Sequence, residues 1–257
     1  MSAERTSGRG SGDQGAVVIT GGGGGIGTAI ARGLADRGTP LVLVGRDRAR
    51  LDAARSGLVT GARALAIAAD VRDIAATQTV IDRAVAEFGR IAALVACAAE
   101  HGPETPLEET PLEAFTETLA TNVVGMIASC RSVLPAMRRQ GAGNLVLFSS
   151  GAGHAIPRPN VRSLAYQISK FGVEGLVNGL AVELRGSGIN VNGFRPGRTL
   201  AGANVGRGLS GLRRPEQAVP PVLFLADLAP GELSGFVLDA SEFELGFRPA
   251  RRDYTMA

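Results

Sequence analysis

Short apolar runs alternate with longer, helix-periodic stretches along almost the whole chain. Ala16–Thr20, Leu41–Gly45, Ala64–Ala68, Ile91–Cys97, Asn144–Ser149, Ile189–Phe194 and Phe236–Asp239 read as strands. Their apolar positions are continuous instead of alternating, as in strands buried on both faces of a parallel sheet. The stretches between them predict helices at Ile26–Arg37, Asp47–Gly57, Ile74–Phe88, Leu112–Gln140, Ser163–Leu184 and Pro215–Leu228. Repeated strand–helix units imply an α/β fold, a doubly wound parallel sheet of about seven strands with helices on both faces. Neither a linker nor an internal repeat interrupts the pattern, so residues 15–245 are expected to form a single domain. Residues 1–14 are Ser/Gly-rich and polar and are expected to be a disordered tail, with residues 246–257 as a C-terminal tail.

Composition narrows the function classes. The chain has 257 residues, of which 45% are hydrophobic and 20% charged, enough to bury a sizeable core. Its formal charge is +3, of which residues 246–257 carry +2 and residues 1–14 none, leaving the remainder close to neutral. With aromatics at 4% and no basic block interleaved with them, nucleic acid is not an expected partner. No apolar run of membrane-spanning length and no signal-peptide core is evident, so neither a membrane nor secretion is expected. Cys97 and Cys130 form no close pair and no metal spacing. They read as small buried hydrophobes of a reducing compartment, the cytoplasm.

One residue breaks the composition. Among 27 Lys+Arg residues, Lys170 is the sole lysine, and it follows Tyr166, one of two tyrosines, by four positions. Where every other cation is arginine, a lysine implies a need for a compact ammonium. On a helix, positions i and i+4 share a face, which puts the ammonium beside the phenol. A cation there is expected to lower a phenol pKa that starts near ~10 and to make Tyr166 a proton donor or acceptor near neutrality.

The first strand runs into Thr20-Gly21-Gly22-Gly23-Gly24-Gly25-Ile26-Gly27 and then a helix. Glycines at 21, 25 and 27 permit a tight turn and close approach of backbone to a pyrophosphate, and the helix N-terminus offers free N–H groups. Placed there, the run reads as a dinucleotide site. The second strand ends at Gly45-Arg46-Asp47, with Arg48 and Arg50 behind. A carboxylate at that strand end would bind the ribose 2′-OH of NAD, whereas Arg46 can grip a 2′-phosphate. NADP(H) is therefore the preferred cofactor, and NAD(H) stays open because a shift of one residue brings Asp47 into that place.

These residues, together with Asp70-Val71 after the third strand, Asn122, Ser149-Ser150 and Pro196-Gly197 after the sixth, resemble the short-chain dehydrogenase/reductase family. The resemblance runs from about Gly15 to Leu245 and implies a Rossmann-like fold and a homodimer or homotetramer. It implies a catalytic tetrad of Asn122, Ser150, Tyr166 and Lys170. Tyr166 would protonate a carbonyl oxygen, Ser150 would donate a second hydrogen bond, and Lys170 would hold the nicotinamide ribose and depress the Tyr166 pKa. Asn122 would order a water that relays protons to the lysine. It further implies cofactor contacts from Thr20, Gly21, Gly25, Ile26, Gly27, Arg46, Asp70, Val71, Ala98, Tyr166, Lys170, Pro196 and Gly197. Asp70 would read the adenine amino group, and Ser149 falls one residue early for a catalytic serine.

The departures from the family pattern are as specific. Ala96-Cys97-Ala98-Ala99 stands where the family has Asn-Asn-Ala-Gly, losing hydrogen bonds that brace the sheet. The interval from Ser150 to Tyr166 is three residues longer than common, enlarging a loop around His154, Pro157 and Pro159 at the substrate mouth. Thr199 lies two residues early after Pro-Gly, and Ala240-Ser241-Glu242-Phe243 replaces Val-Asp-Gly-Gly. His101 and His154 lack a metal-like neighbourhood and read as loop residues, with His154 a candidate for the substrate cleft. Arg198, Arg207, Arg213 and Arg214 flank the expected substrate lid, as solvated surface or as an electropositive mouth for a carrier-bound or anionic substrate. The expected activity is NADPH-dependent reduction of a small carbonyl compound, in a secondary-metabolite or acyl/polyketide pathway. An alcohol dehydrogenase working oxidatively and a non-catalytic NADP(H)-binding sensor or scaffold are the alternatives.

Overall fold

The computed structural model describes residues 15–153, 163–208, 210–247 and 249. The tail at 1–14, the loop carrying His154, Pro157 and Pro159, and most of the C-terminal tail lie outside the described residues. Seven parallel strands form one sheet in the order β3-β2-β1-β4-β5-β6-β7. They are β1 (Ala16–Thr20), β2 (Leu41–Gly45), β3 (Ala64–Ala68), β4 (Ile91–Ala96), β5 (Gly143–Phe148), β6 (Ile189–Arg195) and β7 (Phe236–Asp239). Alternate residues of β1 serve the two faces. Val17 and Ile19 pack with α1 (Gly25–Ala35) and α7 (Val219–Ala226) on one side. Ala16 and Val18 pack with α3 (Ile74–Phe88), α5 (Gly125–Gln140) and α6 (Leu164–Glu183) on the other. Both faces of a doubly covered strand need apolar residues, which is why the runs show no alternation.

Two further helices open on capping side chains, α2 (Arg48–Ser56) on Asp47 and α8 (Ala240–Glu244) on Asp239. Asp239 thus turns the chain segment that departs from the family's Val-Asp-Gly-Gly into a short helix that sequence periodicity did not predict. The helix expected over Leu112–Gln140 is interrupted. It comprises α4 (Leu112–Leu119), a π-turn at Ala120–Val124, and α5. By length and composition Leu112–Gln140 is long and apolar enough to cross a membrane, contrary to the sequence-based reading. Its buried side chains, among them Met126, Cys130, Val133 and Met137, belong to the core beside the sheet, as in a core helix. Pro215–Leu228 likewise divides into a 3-10 turn at Pro215–Ala218 and α7.

Candidate active site

The C-terminal ends of the strands open into a cleft of ≈ 420 Å³. One end is built by the glycine turn. Gly21 takes φ +70, a backbone conformation that side chains rarely adopt. A Cβ on Gly27 would collide with the Gly21 carbonyl oxygen. The turn is therefore wound as tightly as glycine allows, and it presents the start of α1 to the cleft. Gly21, Gly25, Ile26 and Gly27 all line it. Thr20 does not: it is buried, and its hydroxyl accepts a hydrogen bond from Ala98 N at 3.3 Å. Its side chain ties β1 to the segment after β4.

Along the cleft, Arg46, Asp47, Arg50, Asp70 and Val71 form the next wall. Asp47 accepts from Arg50 N at 3.0 Å as the cap of α2, so its carboxylate is committed to the helix. Arg46 pairs with Glu100, Nη2 to Oε1, at 2.6 Å. Asp70 is gripped by Arg72, which donates Nη2–H to Oδ2 at 2.6 Å and holds the carboxyl below its ordinary pKa. Val71 is buried and packs against Gly125 at the end of the π-turn.

The other end of the cleft gathers Ser150, Tyr166 and Lys170 with Pro196 and Gly197. Ser163 caps α6 by accepting from Tyr166 N at 3.3 Å, and this sets Tyr166 in the first turn. Ser150 and Tyr166 line this end together, and Ser150 lies close enough to favour the phenolate form of Tyr166. Lys170 is 1% exposed, and its Nζ donates to Phe148 O at 2.8 Å and lies 5.3 Å from the centre of the Tyr166 ring. Burial lowers the Lys170 pKa to about 8. Burial also raises the Tyr166 pKa above its ordinary value, against the opposing effect of Ser150. The expectation of a depressed Tyr166 pKa is thus reversed: desolvation of the phenolate outweighs the other influences on it.

Asn122 sits in the π-turn and is fully buried. Its Oδ1 accepts from Glu100 N at 2.7 Å, and its Nδ2 donates to Glu100 O at 2.7 Å and Ser169 Oγ at 2.9 Å. The side chain does not line the cleft, and its amide is occupied by these contacts. It binds the chain after β4 to α6. Together with Thr20, it supplies a brace where Ala96–Ala99 lacks the family's asparagines. Ala98 and Ala99 line the cleft. Ser149, set aside as the catalytic serine, donates to Glu174 Oε1 at 2.7 Å, and Glu174 in turn pairs with Arg195.

Glu100, not singled out from the sequence, lines this cleft together with Cys97 and His101, which were read as a buried hydrophobe and a loop residue. The His101 ring stacks on Tyr166 with centroids 4.2 Å apart and planes inclined by 17°. One ring face is covered while the residue remains exposed overall, and desolvation lowers its pKa. Burial pushes the Cys97 thiol up to about 11. The only signal available beforehand was position, directly after the fourth strand. Thr199, which the spacing placed in doubt, is buried and lines the cleft. At the mouth, Arg207 is paired with Glu104 at 2.6 Å and Arg213 with Glu244. These pairs weaken the electropositive reading of that segment.

The glycine turn and the Ser–Tyr–Lys group define a dinucleotide-dependent oxidoreductase fold. The short chain dehydrogenase family profile matches residues 15–207, and the chain belongs to that family. It is 34% identical over 238 residues to a cis-4-hydroxycyclohexanecarboxylate dehydrogenase of Sinomonas cyclohexanicum, covering 86% of this chain and 93% of that one. The crystal structure of a levodione reductase superposes with a TM-score of 0.81 at 25% identity, over 91% of this chain and 98% of that chain. That of an NAD⁺-bound xylitol dehydrogenase superposes with a TM-score of 0.79 at 26% identity, over 88% and 96%. The chain is an oxidoreductase of the family that acts on alcohol and carbonyl groups and binds NAD(P)(H).

A cofactor of this class fits the residues present. The tight glycine turn leaves backbone and helix N-terminus facing the cleft. Thr121, which lines it, has a buried hydroxyl with no partner among the described residues. Gly21, Gly25, Ile26 and Gly27 would hold the pyrophosphate, with Arg46, Asp70 and Val71 at the adenosine end.

Proposed function

We propose that the protein is an NADP(H)-dependent reductase of small carbonyl compounds, with Tyr166 as proton donor. The observation that carries this reading is the gathering of Ser150, Tyr166 and the buried Lys170 at the far end of a cleft that begins at the glycine turn, with the Lys170 Nζ 5.3 Å from the Tyr166 ring. When bound, the nicotinamide supplies the hydride. The two hydroxyls converge so that one substrate oxygen can accept from both, which stabilises charge developing there. Burial keeps the Tyr166 phenol protonated at neutral pH, the state a general acid requires. The Lys170 ammonium uses one of its three donors on Phe148 O and stands where it can offset the negative charge left on Tyr166 after proton transfer. Asn122 acts by positioning Glu100 and its neighbours and touches neither reactant.

Arg46 and Arg50, with Asp47 turned into its helix cap, support NADP(H) over NAD(H). The same groups serve alcohol oxidation, and the dehydrogenase named above favours that direction as the second reading. The non-catalytic alternative rested on the altered Ala96–Ala99 segment, and the Asn122 brace removes its support. A biosynthetic setting rests on the resemblance alone. We further propose residues 15–245 as one catalytic domain of a cytoplasmic homo-oligomer. Exposed Leu164, Ile168, Phe171 and Val182 form a helical stripe on α6, the kind of face that a second copy covers.

Tyr166→Phe tests the mechanism. It is expected to retain NADPH affinity in a titration while single-turnover reduction slows on the order of 10²–10⁴-fold. Turnover at the parental rate would overturn the assignment.

A further inference from the structure

An ion pair crosses the dinucleotide cleft. Arg46 follows β2 directly and Glu100 lies beyond the end of β4, yet the two side chains meet at 2.6 Å. β2 and β4 are not neighbours, because β1 lies between them. With strands spaced ~4.8 Å apart, the pair spans the roughly 10 Å between the ends of β2 and β4. Glu100 is fixed there by its backbone, whose N–H and C=O are both held by the Asn122 amide at 2.7 Å. Side-chain exposures of 57% for Arg46 and 31% for Glu100 put the contact on the solvent side of the cleft.

We propose that Glu100 is a specificity-determining residue that competes with the 2′-phosphate of the cofactor for Arg46. The inference rests on the NADP(H) reading above. In the free protein the guanidinium already has an anion, so a 2′-phosphate gains Arg46 only by exchanging one anion for another. NADH brings no anion to that point and leaves the pair intact. The preference for the phosphorylated cofactor is then set by the difference between two ion pairs, not by Arg46 alone. Arg46 marks the phosphate position in the sequence, and Glu100, in the segment after a different strand, limits how strongly that position discriminates.

Equilibrium titrations of NADPH and NADH, followed by dihydronicotinamide fluorescence, test this on the full chain, on Glu100→Gln, on Arg46→Gln and on the double variant. Glutamine keeps the shape of residue 100 and its backbone clamp, and Glu100→Ser serves as a second variant if thermal melting shows the first to be impaired. Glu100→Gln is expected to tighten NADPH about threefold, the worth of a partly exposed ion pair expressed as a ratio, while NADH affinity stays near the parental value. In the Arg46→Gln background the gain is expected to vanish. If Arg46→Gln lowers the NADPH/NADH preference but Glu100→Gln fails to raise it, the competition is overturned and the NADP(H) reading stands. If Arg46→Gln leaves the preference unchanged, both fall.

Discussion

Replacing Lys170 by methionine is expected to stabilise the fold while it removes activity. Met fills nearly the same volume with no charge, and Lys170 is among the largest fully buried side chains. The gap between the ordinary lysine value of 10.5 and about 8 means that the protein holds this ammonium at a cost of roughly 3 kcal/mol below pH 8. Methionine removes that cost but leaves the Phe148 carbonyl without its donor, which takes back about 1–2 kcal/mol. A net gain of about 1–2 kcal/mol corresponds to a rise of about 2–6 °C in Tm for a chain of this size. The sign of the pH dependence is the sharper test. Below pH 8 the side chain is protonated in both folded and unfolded states, so the cost is fully present. Between pH 8 and 10.5 the unfolded state binds more protons than the folded one, and parental stability rises relative to the variant. The advantage of Lys170→Met should therefore shrink through that window and reverse near its upper end, where only the lost bond to Phe148 O remains against the variant. Thermal melts of both proteins at half-unit steps from pH 7 to 10.5 measure this. Melting temperatures that move in parallel across the series would refute a buried, pKa-depressed ammonium at residue 170. Loss of turnover in the same variant would show that the charge is kept for chemistry and not for stability.

Two further outcomes follow from contacts in the cleft. His101→Ala uncovers one face of the Tyr166 ring, so water should lower the raised phenol pKa toward its ordinary value. The alkaline limb of the pH–rate profile is expected to move to lower pH, and an unmoved limb would show that the stack does not desolvate the phenol. Gly27→Ala drives a Cβ into the Gly21 carbonyl oxygen and must open the turn. It should weaken NADPH by at least about tenfold, roughly 1.4 kcal/mol, in a direct titration. Parental affinity would mean that the turn is not the pyrophosphate cradle.

Much of this architecture could be read from the chain because the signals are local. A strand covered on both faces must be apolar throughout, so all seven strands were legible with ends displaced by no more than one residue. Glycines at a strand–helix junction and a lone lysine one helical turn from a tyrosine are also local, and Gly21, Gly27, Tyr166 and Lys170 line one cleft. The π-turn was not legible. Ala120–Val124 contains neither Gly nor Pro, and its apolar spacing continues that of the flanking helices. Within it, the Asn122 side chain clamps both backbone groups of Glu100, a long-range contact that local spacing does not carry.

That clamp shows why motif reading misjudged the segment after β4. Ala96-Cys97-Ala98-Ala99 looks damaged if the brace is sought where the family keeps it. The segment is braced from other elements: Thr20 takes the Ala98 N–H and Asn122 takes both backbone groups of Glu100. Cys97, Ala98 and Ala99 line the cleft, and Glu100 and His101 enter it directly after them. One carboxylate reaches Arg46 at the adenosine end, and one imidazole covers Tyr166 at the reactive end. A four-residue departure, read alone as loss, is thereby connected to both the cofactor and the proton-transfer ends of the site. No windowed reading of the sequence could join them, because residues 46, 100, 122 and 166 meet only through the order β2-β1-β4-β5 of the sheet.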